Sequence, residues 1–216
     1  MKTPVRLLLA CRLLTIQAVL LLALGQIRAA LARFDRLLEL CPLDCHALAS
    51  RAHIQAQRGR FDEAINSLQC LTQIRPQYAA GWFNLGYALQ QLGRHIEAGV
   101  AFRSALAVDP QNDRAWYGLA LVLMNACLYH EAADALEKTT ALQPMSPHGW
   151  FRLAQVQHLL GQPGEALKIV QHLRQFEPKV AAQLQHALGS GLHVKSMQED
   201  RDPNAATTHP AHHAPA

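Results

Sequence analysis

Five prolines, Pro42, Pro76, Pro110, Pro144 and Pro178, stand 34 residues apart along the chain. A period held this strictly constrains the fold more than composition does, because it belongs to stacked copies of one supersecondary unit. Other positions run on the same comb. A small residue recurs at Ala30, Ala64, Ala98, Ala132 and Ala166, and a bulky one at Phe34, Leu68, Phe102, Leu136 and Val170. A second large apolar position reads Leu14, Leu48, Trp82, Trp116 and Trp150. Glycine recurs at Gly25, Gly59, Gly93 and Gly161, and only Cys127 departs from that series.

The stretch from Ala79 to Asn112 shows what each position is for. Trp82, Leu85, Gly86 and Leu89 fall at i, i+3, i+4 and i+7, one apolar stripe on a first helix. Gly86 permits close approach by a neighbour. Gly93 suits the left-handed cap that ends the helix. Ala98 and Phe102 open the stripe of a second helix, which Pro110 stops because proline cannot continue it.

The order W-x2-L-G, G, A-x3-F-x2-A, P over these residues resembles the tetratricopeptide (TPR) repeat. The resemblance is closest over 79–144 and extends over 11–180. It implies an all-α, right-handed superhelical solenoid of about five helix-turn-helix repeats, which the comb places at 11–44, 45–78, 79–112, 113–146 and 147–180. Residues 1–10 are expected to form an N-terminal extension, 181–198 a capping helix and linker, and 199–216 a disordered tail without periodicity. Gln17 and Arg51 stand where leucine is expected, and Thr139 and Leu173 at small positions.

The amino terminus admits several readings. Lys2, Arg6 and Arg12 precede an apolar run from Leu13 to Leu24, and Ala23-Leu24-Gly25 resembles a signal cleavage site. The comb opposes that reading, since cleavage after Gly25 would split the first repeat between its helices. An apolar first helix must instead be covered by residues 1–10, by a second copy of the chain or by lipid. Residues 1–60 carry nine Lys/Arg against three Asp/Glu, so this end is also basic. The expected location is cytoplasmic, with inner-membrane association or export as alternatives.

No phosphate loop, nucleophile elbow or H-E-x-x-H is present, and neither is a basic stripe with interleaved aromatics for nucleic acid. The chain is read as non-catalytic, with no metal or cofactor. Its five cysteines are odd in number and scattered, which is not a disulfide framework. His46, His53, His148 and His158 are expected on exposed first-helix faces, and His95 and His130 in turns.

TPR solenoids usually bind a peptide or helix in the concave groove lined by their first helices. The fifth position of each repeat, a lining position, reads Thr15, Ala49, Phe83, Tyr117 and Phe151, ending in an aromatic ladder. With Asn84, Tyr87, Arg114, Arg152, Gln155 and His158, these rings form the candidate ligand site. Rigid rings supply contact area at little entropic cost while polar groups set register. The carboxylate clamp of chaperone-binding TPR proteins is not supported: Asn84 and Arg114 match, but Ala49, His53 and Gly118 do not. The resemblance thus implies a scaffold or adaptor that binds a protein. One alternative is a small secretion-type TPR chaperone, to which Asp113–Leu119 is loosely similar; another is a membrane-associated assembly factor anchored by its amino terminus.

Overall fold

The computed structural model describes residues 3–189, and among these there are eleven helices and no strand. They run as α1 (Thr3–Ala23), α2 (Ile27–Leu40), α3 (Cys45–Gln57), α4 (Phe61–Ile74), α5 (Ala79–Gln91), α6 (His95–Val108), α7 (Asp113–Asn125), α8 (Tyr129–Leu142), α9 (Pro147–Leu159), α10 (Pro163–Arg174) and α11 (Pro178–Gly189). Each helix packs on its neighbours in sequence, which makes a helical solenoid. The tail expected over 199–216 and the linker before it lie outside the described residues.

The comb positions form the spine of the core. Ala30, Ala64, Ala98, Ala132 and Ala166 are all buried, as are Phe34, Leu68, Phe102, Leu136 and Val170. A small residue beside a large one lets the two helices of a repeat close up while the large side chain fills the seam. The three tryptophans do more than pack. The indole Nε1 of Trp82, Trp116 and Trp150 donates to the carbonyl of Pro76, Pro110 and Pro144 at 2.8, 2.9 and 2.8 Å. Each bond ties a first helix to the turn before it and gives the carbonyl of that turn's proline a donor.

Between the helices of a repeat the chain turns through the left-handed region, at Gly25, Gly59, Gly93 and Gly161 with φ of 70–74°. Cys127 adopts the same conformation at φ 57° despite its Cβ. That conformation costs a non-glycine residue about 1 kcal/mol or more, partly returned because glycine loses more entropy on folding. Cys127→Gly is therefore expected to raise stability by about 0.5 kcal/mol, and Cys127→Ala, which keeps the strain, to give no gain. Urea denaturation of the three proteins checks the ranking.

The ends of the solenoid differ from the pattern. Residues 3–10, expected as an extension, continue α1 without a break. Pro178, expected to close the fifth repeat as the other comb prolines close theirs, instead opens α11, where its fixed φ suits a first helical position. The chain has already left α10 at Arg174, through a turn in which Glu177 N donates to Leu173 O at 2.7 Å. α11 buries Ala181 and Leu184 against α9 and α10 and so covers the carboxy-terminal end of the stack.

α1 has no comparable cover. It packs on α2 through Cys11 and Ala18, while Leu9, Leu13, Ile16 and Leu20 on the opposite side are 57–60 % exposed. The first helices α3, α5, α7 and α9 each lie between two second helices. Among the described residues α1 packs on one second helix, α2.

Candidate functional site

The first helices α5, α7 and α9 carry the sequence-predicted site. Local signals start α7 cleanly: the Asn112 side chain accepts a hydrogen bond from Ala115 N at 3.0 Å, a standard N-cap. α9 opens with Pro147 at its first turn. The shared period then sets Phe83, Tyr117 and Phe151 at the same position of successive first helices.

These rings lie at different depths. Phe83 is only 8 % exposed and rests on Phe102, with ring centroids 6.0 Å apart and planes tilted by 45°. Tyr117 and Phe151 are half-buried and keep part of each ring at the surface. Phe83 therefore offers little area to a ligand, and the accessible aromatic surface belongs to the other two. The cause is a pair of glycines. The Phe102 ring sits against Gly86 and Gly118, where an added Cβ would lie 2.8 Å and 2.5 Å from ring carbons. With Phe102 drawn in between α5 and α7, Phe83 follows it into the core.

The polar members are likewise unequal. Arg114 and His158 are exposed, Asn84 and Arg152 are half-buried, and Gln155 is buried. Arg152 Nη1 donates to Gln155 Oε1 at 3.1 Å, so Gln155 serves to hold the guanidinium. Tyr87 is half-buried with its ring edge-on to Phe61 at 6.3 Å, joining α5 to α4.

The structure corrects the placing of three histidines. His53 is half-buried, and that burial lowers its pKa from the ordinary 6.5 by disfavouring the charged form. His95 and His130 belong to helices, the first and second residues of α6 and α8. His172, on α10, has its ring between the rings of Trp150 and Phe176, with centroids at 4.6 and 5.4 Å.

Two departures from the repeat pattern, visible in the sequence, have partners that it does not show. Arg51 replaces the expected leucine by joining a polar network: its Nε donates to Ser67 Oγ at 3.0 Å, and its guanidinium lies 3.5 Å from Asp35. Gln55 Nε2 donates to Glu63 Oε2 at 3.1 Å in the same cluster. An open cavity of about 390 Å³ adjoins it, lined by Asp35, Leu38, Glu39 and Arg51 among others, well away from the aromatic ladder. The other feature is Thr139, whose hydroxyl donates to Ala135 O at 3.0 Å and whose methyl faces Gly149. Glycine opposite makes room for threonine at a small position, a compensation visible only once the helices are paired. Among the described residues no group of three His, Cys, Asp or Glu could hold a metal ion.

Comparison with known proteins agrees with this architecture. A family model described as TPR repeat matches residues 52–93, and two described as tetratricopeptide repeat match 89–150 and 128–178. No curated protein sequence matches the chain. Among solved structures, a MamA crystal structure superposes with TM-score 0.75 at 21% identity, covering 80% of this chain and 94% of that one. YrrB, described as a TPR protein with an unusual peptide-binding site, gives TM-score 0.72 at 17% identity, covering 80% and 90%. TTC0263, a thermophilic TPR protein of Thermus thermophilus, gives 0.54 at 25% identity, covering 83% and 97%. With matches spanning 52–178, a strict 34-residue comb and the paired helices, the chain belongs to the tetratricopeptide repeat family.

Proposed function

We propose that this protein is a non-catalytic scaffold that binds a peptide or helix of another protein along the groove face of α7 and α9. The carrying observation is the pair Tyr117 and Phe151: two half-exposed rings in one register, flanked by the exposed Arg114 and His158 and by Arg152. Aromatic area with cationic groups around it suits an extended segment bearing apolar and acidic side chains. The TPR fold supports the reading, since its members are built to present such surfaces, and we place the chain in the cytoplasm. Tyr117→Ala combined with Phe151→Ala is expected to weaken partner binding at least about tenfold with helicity retained. Unchanged affinity, measured by titration calorimetry with the partner, sinks the proposal. If the partner is a single unstable exported client, the secretion-chaperone reading takes over.

A second reading rests on α1. Leu9, Leu13, Ile16 and Leu20 recur at i, i+4, i+7 and i+11 and make an exposed apolar stripe. Residues 1–40 carry Lys2, Arg6, Arg12, Arg28, Arg33 and Arg36 against Asp35 and Glu39, of which Glu39 pairs with Arg36. We propose that α1 lies in the surface of an anionic bilayer and holds the scaffold there. By length and composition the stretch Arg6–Ala23 is also long and apolar enough to cross a membrane. Arg12 near its middle makes crossing costly by about 3 kcal/mol, whereas an in-plane helix lets Arg6 and Arg12 reach the headgroups. A second copy on the same stripe would bring like charges together; anionic lipid neutralises them.

A further inference from the structure

Two thiols meet at the first helix hairpin. Cys11 projects from α1 into its seam with α2 and is 7 % exposed; Cys41 follows α2 as its C-cap, with its N–H donating to Leu37 O at 2.7 Å. Their sulfurs are 2.6 Å apart, across 30 residues of chain. Because α1 and α2 run antiparallel about the Gly25 turn, the fold brings the first and thirty-first positions of a repeat together. The corresponding pairs in later repeats are Cys45 with Arg75, Ala79 with Asp109, Asp113 with Gln143 and Pro147 with Glu177. Only the first repeat has a thiol at both places, and among the described residues its first helix packs on one second helix where α3, α5, α7 and α9 pack on two. Cys45, next along the chain, points its sulfur at Leu43 O at 3.7 Å.

We propose that Cys11 and Cys41 form a reversible intrachain disulfide that fastens α1 to the end of α2. A disulfide such as oxidised glutathione is the oxidant. Cys41, the more accessible thiol, loses its proton and attacks one glutathione sulfur; the S–S bond breaks and one glutathione thiolate departs and takes up a proton. Cys11 then loses its proton and attacks the Cys41 sulfur of the mixed disulfide, releasing the second glutathione thiolate, which is protonated in turn. Two cysteine thiols are oxidised and one glutathione disulfide is reduced to two thiols. The sulfurs already touch, so closing the bond shortens their separation by only about 0.5 Å. In the reduced pair the Cys41 contact and burial raise the Cys11 thiol to about 11, which leaves the first attack on the glutathione disulfide to Cys41. The bond deepens the surface reading of α1 by keeping that helix on the solenoid, yet it is tested in solution without lipid, so each fails separately.

The test uses the full chain, reduced and then equilibrated over a series of glutathione redox buffers. Thiols are trapped by alkylation and the unreduced protein is mapped by mass spectrometry. The expected result is a Cys11–Cys41 peptide that grows with the oxidised fraction, reverses with excess reduced glutathione, and persists in Cys45→Ala and in Cys70→Ala/Cys127→Ala. Hydrogen exchange of the α1 amides is expected to slow at least about tenfold on oxidation, and to stay unchanged in Cys41→Ser. A Cys41–Cys45 link, a link between chains, a lasting glutathione adduct on Cys41, or free thiols throughout the series would overturn the proposal.

Discussion

Phe102→Ala is expected to cost about 3–5 kcal/mol, the usual range for emptying a buried phenylalanine site. The ring is 1 % exposed and belongs to three helices at once: it projects from α6, lies against Gly86 of α5 and Gly118 of α7, and carries Phe83 on its face. Its loss leaves a void bounded by two glycines that cannot fill it. Because a solenoid transmits stability mainly between neighbours, the damage should concentrate on α5, α6 and α7, which hydrogen exchange resolves. The complementary change, Gly118→Ala, gains about 1 kcal/mol of helix propensity but places a methyl group 2.5 Å from the ring tip. Overpacking of this kind costs about 1–3 kcal/mol, so a net loss is expected. Adding Phe102→Leu to Gly118→Ala should return part of it, and a double-mutant cycle by urea denaturation shows whether the two sites are coupled. Strict additivity would contradict this contact.

Replacing Leu9, Leu13, Ile16 and Leu20 together by glutamine is expected to lower binding to anionic vesicles more than tenfold while leaving the solenoid folded. Each of these side chains contributes up to about 1.5–3 kcal/mol when it leaves water, and none of the four is among the buried core residues of the hairpin. The unchanged protein should bind phosphatidylglycerol vesicles, release from them as salt rises, and ignore neutral ones. Equal binding to neutral vesicles would remove the electrostatic part of the argument. A stable dimer without vesicle binding would assign the stripe to a second copy. A native mass lacking residues 1–25 would make it a signal.

How much of this was legible from the residues divides along physical lines. The period placed the helices because it records which side chains must be buried, and Ala98, Phe102 and their equivalents announce their role by type alone. The hydrogen bonds from Trp82, Trp116 and Trp150 to proline carbonyls were not legible, since an apolar-anchor reading says nothing of where an indole N–H points. Phe83 shows the limit most clearly. Its fifth position is a surface position in the pattern, but its depth depends on Gly118, 35 positions further on, through Phe102. A signal existed, because the sixth positions of the other repeats are Ile16, Ser50, Asn84 and Arg152, and glycine there leaves space that some ring must fill. Arg51 was visible as a departure, but its partners Ser67 and Asp35 lie on other helices. Cys11 and Cys41 are 30 positions apart in the sequence, and only the antiparallel hairpin joins them.

Photo-cross-linking from the groove tests the central claim most directly. A benzoylphenylalanine introduced by Tyr117→benzoylphenylalanine should capture one protein partner in native extract, and Phe151→Ala in the same chain should reduce that capture. The same group at Glu137, exposed on the second helix α8, should capture none of it. Equal capture of that partner from both positions, or from Glu137 alone, would contradict a groove-binding scaffold.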